Sequence, residues 1–158
     1  MSDRYRGTIE FPVSALKDAE IRQAAEEEGV TFDGDEPGAQ YDDEVQVNDG
    51  IFLYTAPEIR NGMFDDLERV LKMKGIPFDR VSEGYYEYPA EQVIYRPAMN
   101  GTPEQDATFP LLEDEPVVNV AAIRELLNND GAPASAIQAY LDEHFPAYPP
   151  LTDWVKEG

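Results

Sequence analysis

Apolar and polar positions alternate in the opening stretch RYRGTIEFPVS, where Tyr5, Ile9, Phe11 and Val13 stand among polar or small neighbours. This is the period of a strand, expected to end near Pro12. The period changes after Ser14. SALKDAEIRQAAEEEG is built from good helix formers, with Leu16, Ala19, Ile21, Ala24 and Ala25 as a thin apolar face, Ser14 as the expected cap and Gly29 as the stop. A helix on the outside of a sheet is therefore expected. EVQVNDGIFLY sets two β-rich runs around Asn48, Asp49 and Gly50, residues that tolerate positive φ, and predicts a hairpin. NGMFDDLERVLKMKG spaces Met63, Phe64, Leu67, Val70 and Leu71 as one helical stripe, stopped by Gly75 and Pro77. PFDRVS and EQVIYRP predict further strands, joined by the Tyr-rich EGYYEYPA.

Over residues 4–97 this order predicts an α+β fold of the ferredoxin-like βαββαβ type, an antiparallel sheet with an extra strand and both helices on one face. Residues 98–116, with Gly101, Pro103 and Pro110, predict an irregular connection that wraps the sheet through Phe109, Leu111 and Leu112. Residues 117–158 predict a C-terminal two-helix extension and a proline-rich tail, whose Tyr148, Leu151 and Trp154 are expected to pack back on the body. The first helix starts near Pro116 with Val120, Ile123, Leu126 and Leu127 as its stripe; the second carries Ile137, Tyr140 and Leu141. Laid as a helical hairpin over the open sheet face, this extension would complete one core, so residues 1–158 are expected to form a single domain.

Charge changes the picture more than any motif. The 33 Asp and Glu against 12 Lys and Arg leave a net charge of −21, where a magnitude of roughly 2 to 8 suffices to keep a small domain soluble. Such an excess destabilises the compact state by self-repulsion and calls for a basic partner, cations or a salty environment. Direct binding to nucleic acid or to anionic membranes is disfavoured, because both are negative. Repulsion likewise favours a monomer over a homodimer. The 42% hydrophobic and 11% aromatic content argues for a folded body beneath the acidic skin. No cysteine is present, which removes disulfides, thiolate metal sites and Cys nucleophiles. No apolar run approaches the roughly 20 residues of a membrane span, and MSDRYRGTIEF lacks a signal-peptide core, so a cytoplasmic location is expected.

FDGDEPGAQYDDE, residues 32–44, has partial calcium-loop spacing: Asp33, Asp35, Gly38 and Glu44 fall at positions 1, 3, 6 and 12. Pro37 and Gln40 break the pattern at positions 5 and 8, and a strand rather than an exiting helix follows. A polar acidic loop is expected, with no metal and no cofactor. His144 is the only histidine, there is no nucleophile elbow and no phosphate loop, and carboxylates are too numerous for one pair to stand out as acid and base. No catalytic residue is assigned. His144 is expected to act as a cation near the negative end of a helix.

SEGYYEYPAEQVIYRP interleaves Tyr85, Tyr86, Tyr88 and Tyr95 with Glu83, Glu87 and Glu91, offering aromatic area and carboxylates that suit the Arg and Lys of a partner. In composition and size the chain resembles small acidic inhibitors encoded by phages and plasmids, including DNA-mimicking anti-restriction and anti-CRISPR proteins, and acidic immunity proteins that neutralise nuclease toxins. No motif of theirs is matched and no functional residue is carried over. The resemblance implies a nonenzymatic protein that occupies the basic, nucleic-acid-binding surface of a target protein. The expected partner-binding residues are Asp33, Asp35, Glu36, Asp42, Asp43 and Glu44, with Glu83, Tyr85, Tyr86, Glu87, Tyr88 and Glu91; Asp65, Asp66 and Glu68 form a secondary set. The alternative is a ferredoxin-like module binding a small ligand or a subunit, with the general acidic surface of a salt-loving host; the scarcity of Lys, 4 of 12 basic residues, suits it.

Overall fold

In the computed structural model, residues 4–41, 43–60, 62–84, 90–99, 101–112, 115–128 and 132–155 are described. The fold is mixed α+β, with a sheet whose described pairings are all antiparallel and four α-helices. The strands are β1 (Arg4–Pro12), β4 (Glu44–Asn48), β5 (Ile51–Arg60), β6 (Phe78–Ser82), β7 (Glu91–Arg96) and β8 (Gln105–Leu112), in the order β4-β5-β1-β6-β7-β8. A short β9 (Glu115–Pro116) extends the far end, and β2 (Val30–Asp33) pairs with β3 (Glu36–Ala39) as a separate hairpin.

β1 lies at the centre because its alternation serves one face: Ile9 and Phe11 are fully buried, with β5 and β6 hydrogen-bonded on either side. Phe52 and Tyr54 of β5 share that face, and the rings run on from Phe11 through Phe52 and Tyr54 to Phe64 at centroid spacings of 4.8, 6.4 and 5.7 Å. Two helices cover it. α1 (Ala19–Glu27) buries Ile21, Ala24 and Ala25, and α2 (Asp65–Met73) buries Leu67, Val70 and Leu71. The hairpin expected around Asn48–Gly50 joins β4 to β5, with Asp49 at φ 53° and Gly50 at φ 77° as a tight primed turn demands. α2 stops where expected, with Gly75 at φ 67°, its N–H on Lys72 O and the Ile76 N–H on Leu71 O, a Schellman closure.

Several expectations are corrected. Ser14 does not cap α1: residues Val13–Lys17 form a 3-10 turn, and Asp18 caps the helix by accepting from the N–H groups of Glu20 and Ile21, at 2.9 and 3.3 Å. A carboxylate reaching two amides is the stronger cap. The acidic loop is instead the β2–β3 hairpin, turning at Gly34 with φ 63°. Residues 98–116, expected to be irregular, contain all of β8, which carries Phe109 and Leu111 to near-complete burial and leaves Leu112 68% exposed. Pro116 sits in β9, so α3 (Val120–Leu127) starts later, capped by Asn119 Oδ1 on the Ala122 N–H.

The second sheet face is covered by a different device from the one expected. Neither α3 nor α4 (Pro133–His144) has a buried residue, and the two helices pack on each other. The extended tail beyond α4 does the covering. Phe145 stacks on Phe109 at 5.2 Å and Tyr148 meets it edge-on at 6.2 Å, Arg96 Nε donates to Pro149 O at 2.6 Å, and Leu151 is 6% exposed in a 3-10 turn (Leu151–Trp154) against β1. No helix among the described residues is long and apolar enough to cross a membrane.

Candidate functional site

α1 and α2 lie side by side, and their two ends are treated oppositely. At the start of α1, Lys74 Nζ from the end of α2 bridges Asp18 Oδ2 and Glu20 Oε1 at 3.3 and 3.2 Å. At the other end, Glu27 of α1 and Glu28 just after it meet Asp65 and Asp66 of α2, and Asp43 and Glu58 join them around a concavity of about 330 Å³. Among the described residues no basic side chain lines it; Ala56, Ile59 and Met63 complete the wall. Asp65 and Asp66 favour the positive N-terminal end of α2, whereas Glu27 and Glu28 oppose the negative C-terminal end of α1.

Local chemistry holds this end together. Gly29, at φ 108°, lets the chain leave α1 close over Tyr54; a Cβ there would come within 2.7 Å of the phenol oxygen. The Tyr54 hydroxyl lies 2.6 Å from Asp43 Oδ2 and 2.8 Å from Glu28 O, so its proton serves acceptors from both sides of the concavity. Burial, and then the hydrogen bond to Asp43, push the Tyr54 pKa upward. The Glu28 carboxyl is pushed up to about 7, first by burial and then by Asp66, Asp65, Glu68 and Glu27. Among the described residues no group of three or more His, Cys, Asp or Glu side chains has an arrangement that could hold a metal ion. Spaced carboxylates of this kind can accept hydrogen bonds from several separate guanidinium or ammonium groups.

Those of the expected site residues that are described do not gather in one place. Asp33, Asp35 and Glu36 are exposed at the β2–β3 turn, with Asp35 3.7 Å from Arg22. Asp43 turns inward to Tyr54, and Glu44 opens β4 beside Gln46, whose Nε2 donates to it. Glu83 is exposed just beyond β6. Glu91 accepts from the buried Arg80 at 2.9 Å and is engaged internally. Asp42, Tyr85, Tyr86, Glu87 and Tyr88 lie outside the described residues. The structure joins Asp43 to Asp65 and Asp66 of the secondary set, while Glu68 pairs with Arg80 at 3.0 Å. Glu27, Glu28 and Glu58 were not singled out from sequence. The run Glu26-Glu27-Glu28 at a helix C-terminus was a usable signal, since acids there are unfavourable for the helix itself.

Half of the 12 basic residues are paired within the described fold. Arg22, Arg69, Lys72, Lys74, Arg80 and Arg96 each stand in an ion pair. Arg80 is 3% exposed between Glu68 and Glu91 and also donates to Ser82 Oγ; Arg96 is 4% exposed and binds Asp79 at 2.8 Å. His144 ends α4, as expected, with its ring 4.3 Å from that of Tyr140. Comparison with protein-family models, with curated proteins and with solved structures found no match for this chain.

Proposed function

We propose that this chain is an acidic, nonenzymatic inhibitor that occupies the basic, nucleic-acid-binding surface of a target protein, as phage- and plasmid-type anti-defence proteins and nuclease immunity proteins do. One observation carries the reading: six carboxylates from the end of α1, from α2, from β5 and from the segment before β4 surround a concavity with no basic side chain among its described lining residues. Carboxylates held on two packed helices and a sheet can meet a patch that normally contacts phosphates, and the surplus of −21 speeds the encounter. We further read β1-α1-β4-β5-α2-β6 as a ferredoxin-like split, supported by the strand order β4-β5-β1-β6, with the β2–β3 hairpin inserted and β7 and β8 added.

Affinity capture from host lysate at low salt tests the inhibitor reading, using the parent chain and a neutralised Glu27→Gln/Glu58→Gln/Asp66→Asn variant. A nucleic-acid-binding protein is expected on the parent, displaced by DNA or RNA, and bound about tenfold more weakly by the variant, a loss of about 1.4 kcal/mol. Capture indifferent to both nucleic acid and the substitutions would overturn the reading, as would no capture.

A further inference from the structure

β8 is the outermost long strand of the sheet, and among the described residues no strand pairs with Gln105–Pro110 on the side away from β7; β9 holds only its C-terminal end. The alternation of an antiparallel ladder decides which backbone groups are left. The Leu111 N–H donates to Ala90 O, beside β7, at 2.8 Å, while Pro110 O accepts from the Val117 N–H on the opposite side, at 3.3 Å. Counting back two residues at a time from Pro110, Thr108 and Asp106 turn their N–H and C=O groups outward. Pro110 itself has no N–H to leave unpaired there.

A groove of about 720 Å³ runs along this edge. Its opposite wall includes Val117 and Val118, 38% and 42% exposed, and the end of α4 with Tyr140, Glu143, Phe145 and Tyr148 beyond it. Gln105 also lines the groove.

We propose that this groove binds an extended, Arg- or Lys-bearing peptide segment, which adds a strand to the outer edge of β8. The outward amides and carbonyls of Asp106 and Thr108 select an extended backbone, since only that shape repeats their spacing. The rings of Tyr140, Phe145 and Tyr148 and the Glu143 carboxylate suit a guanidinium or ammonium group. A second copy of a chain with charge −21 is electrostatically the wrong occupant. The inference rests on the basic-partner reading and names the form in which part of that partner is held.

The probe is the acetylated, amidated hexapeptide Thr-Arg-Val-Arg-Thr-Arg, titrated into the nitrogen-15-labelled full chain at low salt. A Glu-for-Arg version and a backbone N-methylated version serve as controls. With the arginine peptide alone, the Asp106 and Thr108 amide signals should shift, and their solvent exchange should slow by about tenfold. Shifts confined to Glu27, Glu28, Asp43, Glu58, Asp65 and Asp66 would overturn the groove and leave the basic-partner reading standing. No shift anywhere would overturn the groove as well, while lysate capture judges the partner separately. Thr108→Pro, which removes an outward N–H on an edge strand, should lower peptide affinity by about tenfold. Tyr140→Ser, outside the ladder, provides the same test should that proline disturb folding; unchanged affinity in a folded variant of either kind would sink the proposal.

Discussion

Glu28 is placed against its own surroundings. It follows α1 where the last carbonyls are partially negative, and Asp66, Asp65, Glu68 and Glu27 lie near it. With its folded pKa raised from 4.5 to about 7, the native state keeps a proton that the unfolded chain has released across that window. Its contribution to stability is complete below the unfolded value and is lost as pH rises toward the folded one. Glu28→Gln, which cannot ionise, should therefore be more stable than the parent at pH 8 and nearly equal to it at pH 4. Discounting the shift for partial solvation leaves a gain of about 1 kcal/mol at the higher pH. Urea unfolding at the two pH values measures this; an equal difference at both would remove the electrostatic account. Glu10 shifts the same way, raised by burial and then by Asp79. Asp18 does the reverse, its carboxyl lowered chiefly by the Ile21 N–H at the start of α1, so its contribution is lost only as pH falls through its folded pKa.

At the scale of elements, segments whose signal is local were legible in the sequence. Asn48-Asp49-Gly50 specifies its turn by the φ values its residues tolerate, and Gly75 with Ile76 specifies the close of α2. β8 was not legible because Pro110 argues against a strand, and only the finished sheet shows that this proline stands at an edge whose missing N–H faces outward. The acidic concavity was hidden for a related reason: Glu27 and Asp66 meet through helix packing, which sequence spacing does not display. In the tail the helix stripes mislead, since Val120 and Leu127 are 61% and 55% exposed, whereas Leu151 of the proline-rich run is buried against the body as expected. This inversion is testable. Leu151→Ala should cost about 2 to 3 kcal/mol by leaving a cavity where the tail meets the sheet, whereas Leu127→Ala should change stability by less than about 0.5 kcal/mol. Denaturant unfolding of the two variants distinguishes this arrangement from a core covered by α3 and α4, which would reverse the order.

At the scale of the whole molecule, the distribution of charge matters more than its sum. Arg80 and Arg96 are committed to buried or half-buried carboxylates, and Lys74 clamps one end of the helix pair, so much of the positive charge is matched inside the fold. The surplus acids at the opposite end of that pair repel one another across a solvated concavity. Those two classes respond differently to salt. Screening reaches exposed charges but acts weakly on buried pairs, so added salt should relieve the repulsion while sparing the internal bridges. Raising sodium chloride from about 0.01 to 0.15 M shortens the screening length from about 30 to 8 Å, and most of the gain in Tm should fall within that range. On the proposed inhibitor reading, binding to a basic partner should weaken over the same interval, because the carboxylates that repel each other would be the ones offered to it. Thermal unfolding and partner affinity, measured across one salt series, test both halves together. Stability that keeps climbing into molar salt would instead indicate an acidic skin suited to a saline environment, in which the carboxylates at the end of α1 and α2 have no partner to explain.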